Sequence, residues 1–182
     1  MAASAGGLQA LSAVLSALPE DFPVPILIVQ HLDPRQRSLL GEILSRRTPL
    51  AVRLAADGDA VRPGLVLIAP PDRHLLVNPD GTVTLSRAEL VHFVRPSADL
   101  LFESAAGSCG PRCVAVVLSG TGSDGAAGVR AVKESGGTVI VQDDATAEFS
   151  GMPEAARRTG QVDLVLPLAD IGPGLVALAG AR

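Results

Sequence analysis

The chain has 182 residues, 47% hydrophobic and 19% charged, with a net charge of −4. That length and balance describe one globular domain with a sizeable core and exclude a disordered chain. Aromatic residues make up only 2%, with no Trp or Tyr, so neither base stacking nor a basic phosphate-binding surface is on offer and nucleic acid is not an expected partner.

No run of 18 apolar residues appears, and no basic segment leads into an apolar one at the start. No membrane insertion or secretion is expected, and the location expected is cytoplasmic. Cys109 and Cys113 flank a Gly110-Pro111 turn with no His or Cys at metal-ligand spacing. They read as reduced structural thiols, with no metal.

Ser4-Ala5-Gly6-Gly7 precedes a helical pattern of Leu8, Leu11, Leu15 and Leu18, which Pro19 stops. Ile26–Val29 is an apolar run fit for a buried strand. Asp33-Pro34 then opens a second helix, Asp33 as its cap, with an inner face of Leu39, Leu40, Ile43 and Leu44. The middle of the chain reads as a β-rich insertion. Its short strands cover 51–54, 65–68, 75–77 and 82–85, and its turns fall at Gly58, Pro63-Gly64 and Pro79-Asp80-Gly81. Ser97 caps a helix through Leu100, Leu101 and Ala105. Strands at 114–118, 138–141 and 162–166 then alternate with helices at 125–134, 153–158 and from about Ile171. Continuous β-branched runs separated by helices predict a parallel sheet covered on both faces. The fold expected is α/β: three-layer and doubly wound, with a mainly parallel sheet and a small β-hairpin insertion. Residues 1–182 form one domain.

Ligands of open parallel sheets bind beyond the carboxyl ends of the strands. His31 ends the first apolar strand, Asp124 lies in the glycine-rich loop after Leu118, and Ser4 sits before the first helix. A serine in such a position is ordinarily a helix cap. Together the three suggest a nucleophile, a base and a carboxylate that orients the base. His74 and His92 read as structural or solvated histidines. Gly120, Gly122 and Gly125 also match a dinucleotide fingerprint, with Asp143 or Asp144 as the ribose-binding acid. Against that reading, Asp124 would bring negative charge toward the pyrophosphate. The Arg35, Arg37, Arg46 and Arg47 cluster reads as a solvated face.

Five stretches occur in one order: Ala3-Ser4-Ala5-Gly6-Gly7, Val29-Gln30-His31, Arg95-Pro96-Ser97-Ala98-Asp99, Ser119 to Gly125, and Gly151-Met152-Pro153. Together they resemble the catalytic domain of the CheB family, the chemotaxis protein-glutamate methylesterases. Pro70-Pro71-Asp72-Arg73-His74 resembles a further loop of that family. The resemblance implies hydrolysis of glutamate γ-methyl esters, and deamidation of some glutamines, on the cytoplasmic helices of chemoreceptors. It makes Ser4 the nucleophile, His31 the base, Asp124 the orienting acid, and the N–H groups of Ala5 and Thr121 the oxyanion donors, with no cofactor. Thr121 and the Phe149–Pro153 stretch look closer to the subgroup joined to a receptor methyltransferase, which makes that enzyme an implied partner.

Three departures from the family pattern carry expectations. Ala2 replaces a glycine of the nucleophile turn, where alanine tolerates strain less well. Thr121 stands where many members carry methionine. Only three residues precede Ser4, so the strand that should hold its turn is expected to be truncated or missing. The family's receiver domain is also not expected in this chain. A non-catalytic signalling module of the same fold is the alternative from another class.

Overall fold

The structure is a computed structural model, and it describes residues 1–31 and 39–180. The predicted cap at Asp33-Pro34, together with Arg35 and Arg37, lies outside these residues. Among the described residues nine strands follow in chain order: β1 (Ala2–Ala3), β2 (Ile26–Gln30), β3 (Ala51–Leu54), β4 (Leu65–Ile68), β5 (His74–Val77), β6 (Val83–Ser86), β7 (Val114–Val117), β8 (Thr138–Gln142) and β9 (Leu164–Leu166). The helices are α1 (Gly7–Ser16), α2 (Leu40–Ser45), α3 (Ala98–Cys109), α4 (Ala126–Glu134), α5 (Gly151–Arg158) and α6 (Leu168–Gly180).

Seven strands form one sheet in the order β3-β4-β2-β1-β7-β8-β9, and every pair in it is parallel. The central strands are Val, Ile, Leu and Ala runs buried on both faces, as a sheet with helices on both sides requires. Strand alternation divides the core into two layers. Ala3, Ile28, Ile68, Val116 and Ile140 pack with α1, α2 and α6. Ala2, Val29, Leu67, Val117 and Val141 pack with α3, α4, α5 and the β5–β6 hairpin.

From their sequence, β3 and β4 are expected in the insertion. Both belong to the main sheet, and only β5 and β6 stand apart as an antiparallel pair. The short strands look alike locally, and parallel pairing to a distant partner leaves no mark in a hairpin turn.

A strand stands before Ser4, where one truncated or missing is expected from the sequence, and it is two residues long. This strand, β1, is central, paired with β2 through Ala2↔Val29 and Ala3↔Gln30, and with β7 through Ala2↔Val117. Met1 N donates to Leu27 O at 2.7 Å, Val29 N to Met1 O at 3.0 Å and Leu118 N to Ala2 O at 2.9 Å. Ala2 is therefore a strand residue, fully buried, and the strain expected from its side chain does not arise. The strand order runs outward from β1 in both directions. The crevice between the ends of β1 and β7 is thus the switch point, where an open α/β sheet binds its ligands.

α3 and α4 meet closely because Gly128 lacks a side chain. A Cβ there would stand 2.6 Å from Phe102 Cβ and 3.0 Å from Asp99 O. Gly128→Ala is expected to lower stability by about 1–3 kcal/mol through overpacking, read as a lower thermal midpoint. Gly107→Ala, on α3 with nothing within 4 Å, should instead raise stability by up to about 1 kcal/mol through helix propensity. Equal effects at the two sites would refute the packing argument.

Candidate active site

β1, β2 and β7 end side by side, and the chain leaves them as Ser4, His31 and the loop from Leu118. His31 N donates to Ala3 O at 3.1 Å and Ser4 N to Ser119 O at 3.0 Å. The register Ala3↔Gln30, carried one residue on, sets Ser4 opposite His31 on strands about 4.8 Å apart. Gly6, with φ 73, is the cap residue of α1, and no side chain caps that helix. Ser4 is therefore not the helix cap. Its hydroxyl makes no hydrogen bond among the described residues, and none joins it to His31. Such contacts commonly tighten only when substrate is bound.

His31 and Asp124, 93 residues apart, are brought into contact: His31 Nε2 lies 2.8 Å from Asp124 Oδ2. The other ring nitrogen, Nδ1, is left for a second group. Asp124 is 4% exposed, and the fold meets its charge with donors. Ser97 Oγ donates to Oδ1 at 2.8 Å, Ala98 N to Oδ2 at 2.6 Å and Asp99 N to Oδ1 at 3.2 Å. These groups form the N-terminus of α3, where a carboxylate is favoured. Burial pushes the Asp124 carboxyl upward. The bonds from His31, Ala98 N, Ser97 and Asp99 N outweigh burial and hold it below the usual carboxylate range.

Asp99 returns the arrangement. From the first turn of α3, its Oδ1 accepts from Gly125 N at 2.9 Å and Gly128 N at 2.8 Å at the start of α4. The acid before α4 thus caps α3, and the acid on α3 caps α4. Burial raises the Asp99 carboxyl, the Gly128 N–H pulls it back, and the neighbouring Asp124 carboxylate adds to the rise. His92 Nε2 lies 3.1 Å from Asp99 Oδ2. His74 is fully buried. Its Nδ1 accepts from Ser97 N at 3.1 Å and its Nε2 faces Glu89 O at 3.0 Å. His74 has the structural setting expected of it, and His92 makes a supporting contact behind the site.

The turn after Ser4 is tied to the rim. Ser119 Oγ donates to Ala5 O at 2.8 Å and accepts from Phe149 N at 3.0 Å. A Cβ on Gly6 would stand 2.6 Å from that oxygen, so both the positive φ and the close approach require glycine. No hydrogen bond engages the N–H groups of Ala5 or Thr121 among the described residues, which leaves both as donors for a ligand.

The glycine loop does not cradle a dinucleotide. The N-terminus of α4, where a pyrophosphate would sit, is filled by the Asp99 carboxylate. Asp143 is spent on Thr146, and Asp144 pairs with Arg157. Among the described residues no cluster of His, Cys, Asp or Glu could hold a metal, and no helix is long and apolar enough to cross a membrane.

Ser97 and Asp99 were legible only as a cap and its neighbour, although both stand in the Arg95–Asp99 motif. Their bonds to Asp124 and α4 span 25 to 29 residues, and nothing local announces them.

The chain matches the family model described as CheB methylesterase over residues 1–175. It is 46% identical over 179 residues to the protein-glutamate methylesterase/protein-glutamine glutaminase of Moorella thermoacetica, covering 96% of this chain and 42% of that protein. It is 42% identical to the protein-glutamate methylesterase FrzG of Myxococcus xanthus, covering 97% of this chain and 53% of that one. The chain thus spans about half the length of these two curated relatives. The crystal structure of the Thermotoga maritima CheB methylesterase catalytic domain superposes with a TM-score of 0.93 at 38% identity, covering 97% of this chain and 95% of that one. A parallel sheet of the same architecture and a family match across nearly its whole length make this chain a member of the CheB methylesterase family.

Proposed function

We propose that this chain is a catalytic domain that hydrolyses glutamate γ-methyl esters on methylated chemoreceptors, and deamidates glutamines at some of the same positions. The observation that carries the reading is the His31 Nε2 to Asp124 Oδ2 hydrogen bond of 2.8 Å, at a strand end beside Ser4. Asp124 fixes the imidazole with Nε2 protonated and leaves Nδ1 as the base.

Ser4 Oγ attacks the ester carbonyl while His31 Nδ1 takes its proton. The oxyanion is met by the N–H groups of Ala5 and Thr121. Collapse of the tetrahedral species breaks the bond to the methoxy oxygen, which leaves as methanol with the proton from Nδ1. Water, deprotonated by the same nitrogen, then releases the glutamate carboxylate and restores Ser4. Asp124 stays ionised throughout and stabilises the imidazolium, a role its low carboxyl pKa supports. The family resemblance of Thr121 and the Phe149–Pro153 stretch makes a receptor methyltransferase the expected functional partner.

The test is inactivation by a fluorophosphonate. The reagent should label Ser4, identified by mass spectrometry. Methanol release from methylated receptor membranes should fall in proportion to the fraction labelled. A well-folded chain that neither labels nor releases methanol would instead support the signalling-module reading.

A further inference from the structure

Gln30 closes β2 one residue before His31, and strand alternation sends its side chain to the opposite side of the sheet, toward α1. It is 6% exposed. Its amide nitrogen donates to Ser4 O at 2.7 Å and to His31 O at 3.1 Å, so one side chain grips the main chains of both residues. Its carbonyl oxygen Oε1 is buried with no hydrogen-bond partner among the described residues. That oxygen lies against the first residue of α1, where a Cβ on Gly7 would stand 2.0 Å away. A buried amide carbonyl without a donor costs stability and returns none. An apolar side chain of the same length would avoid that cost, so the two donated bonds are what the amide uniquely supplies.

The peptide between Ser4 and Ala5 is planar, with its C=O and N–H pointing in opposite directions. Gln30 Nε2 and Gly7 N, the latter at 2.9 Å, both hold the Ser4 carbonyl on the α1 side. The Ala5 N–H is thereby turned toward the other side, where His31 meets Asp124. We infer that Gln30 is a positioning residue. By holding the Ser4 carbonyl it aims the Ala5 N–H at the developing oxyanion, and by its second bond it locks that peptide to the backbone of His31. The inference rests on the ester-hydrolysis reading.

Gln30→Met keeps the length of the side chain and removes both donors together with the unpaired carbonyl. The thermal midpoint should hold or rise, kcat should fall about tenfold to thirtyfold, and KM should stay within about twofold. That split marks an interaction made in the transition state, which a purely structural role would not produce. Gln30→Glu serves where the Met variant does not fold. Its carboxylate cannot donate, and its deficit should shrink as pH falls and a protonated carboxyl regains one donor. A folded Met variant with kcat within threefold of the parent overturns the inference, as does a Glu variant whose deficit ignores pH. The Ala5 amide signal in 15N–1H spectra reads the peptide's orientation without turnover. If the parent chain releases no methanol, the esterase reading fails by itself, and an Ala5 signal that does not move in Gln30→Met overturns the positioning role separately.

Discussion

Asp124→Asn is expected to reduce ester hydrolysis by about 10,000-fold, with a loss of stability of about 1–3 kcal/mol. Each carboxylate oxygen is met by donors: Oδ2 by His31 Nε2 and Ala98 N, Oδ1 by Ser97 Oγ and Asp99 N. An asparagine must turn its NH2 toward one of these pairs. Either way the group faces a backbone N–H, so His31 loses its orienting acceptor or α3 loses part of its cap. The pH dependence has a definite sign. The folded carboxyl is held below its ordinary value, so its contribution is complete above about pH 4, the unfolded value. The contribution is then lost as pH falls through the lower folded value. Denaturant melts across that range should show an acid loss in the parent that is smaller in the variant. Activity above about one hundredth of the parent's would sink the assignment of Asp124.

Gly120→Ala is expected to cost about 100-fold in kcat and about 1–3 kcal/mol in stability, and the two losses have separable causes. A Cβ at 120 would stand 2.4 Å from Met152 Sδ and 2.9 Å from Ser4 Cβ. The methionine is flexible and can yield at the expense of packing. Ser4 cannot, because its N–H is bonded to Ser119 O and its carbonyl to Gly7 N and Gln30. In a Met152→Ala background, where the sulfur is absent, Gly120→Ala should therefore cost less stability than it does in the parent and still lower the rate. A rate that Gly120→Ala leaves unchanged in that background would show that Ser4 is not displaced.

Much of this molecule could be read from its residues, for reasons that differ by element. The β5–β6 hairpin announced itself because Pro79-Asp80-Gly81 fixes a turn locally. β7 and β8 were legible as continuous apolar runs. The nearness of His31 to Asp124 followed from the rule that loops at strand carboxyl ends share one rim. β1 was not legible: two alanines carry neither periodicity nor β-propensity, and their strand exists only because β2 and β7 offer free edges on either side. The exchange of caps between α3 and α4 was hidden for a related reason. Asp99 and Asp124 each look like an ordinary acid beside a helix start, and only the tertiary fold shows that each serves the other's helix. Gln30 was visible as a polar residue ending an apolar strand, but its two acceptors are backbone atoms, which a sequence does not distinguish.

The place of β1 in the middle of the sheet bears on how long the site keeps its shape. Residues beside so short a strand ordinarily exchange their amide hydrogens by local opening. The Ser4 amide is bonded to Ser119 O, and the strand before it is clasped between β2 and β7. Releasing that hydrogen requires the two halves of the sheet to part, which amounts to opening the fold. Solvent exchange at Ser4 should therefore be as slow as at the core strands β7 and β8, so the hydroxyl keeps its setting for as long as the molecule stays folded.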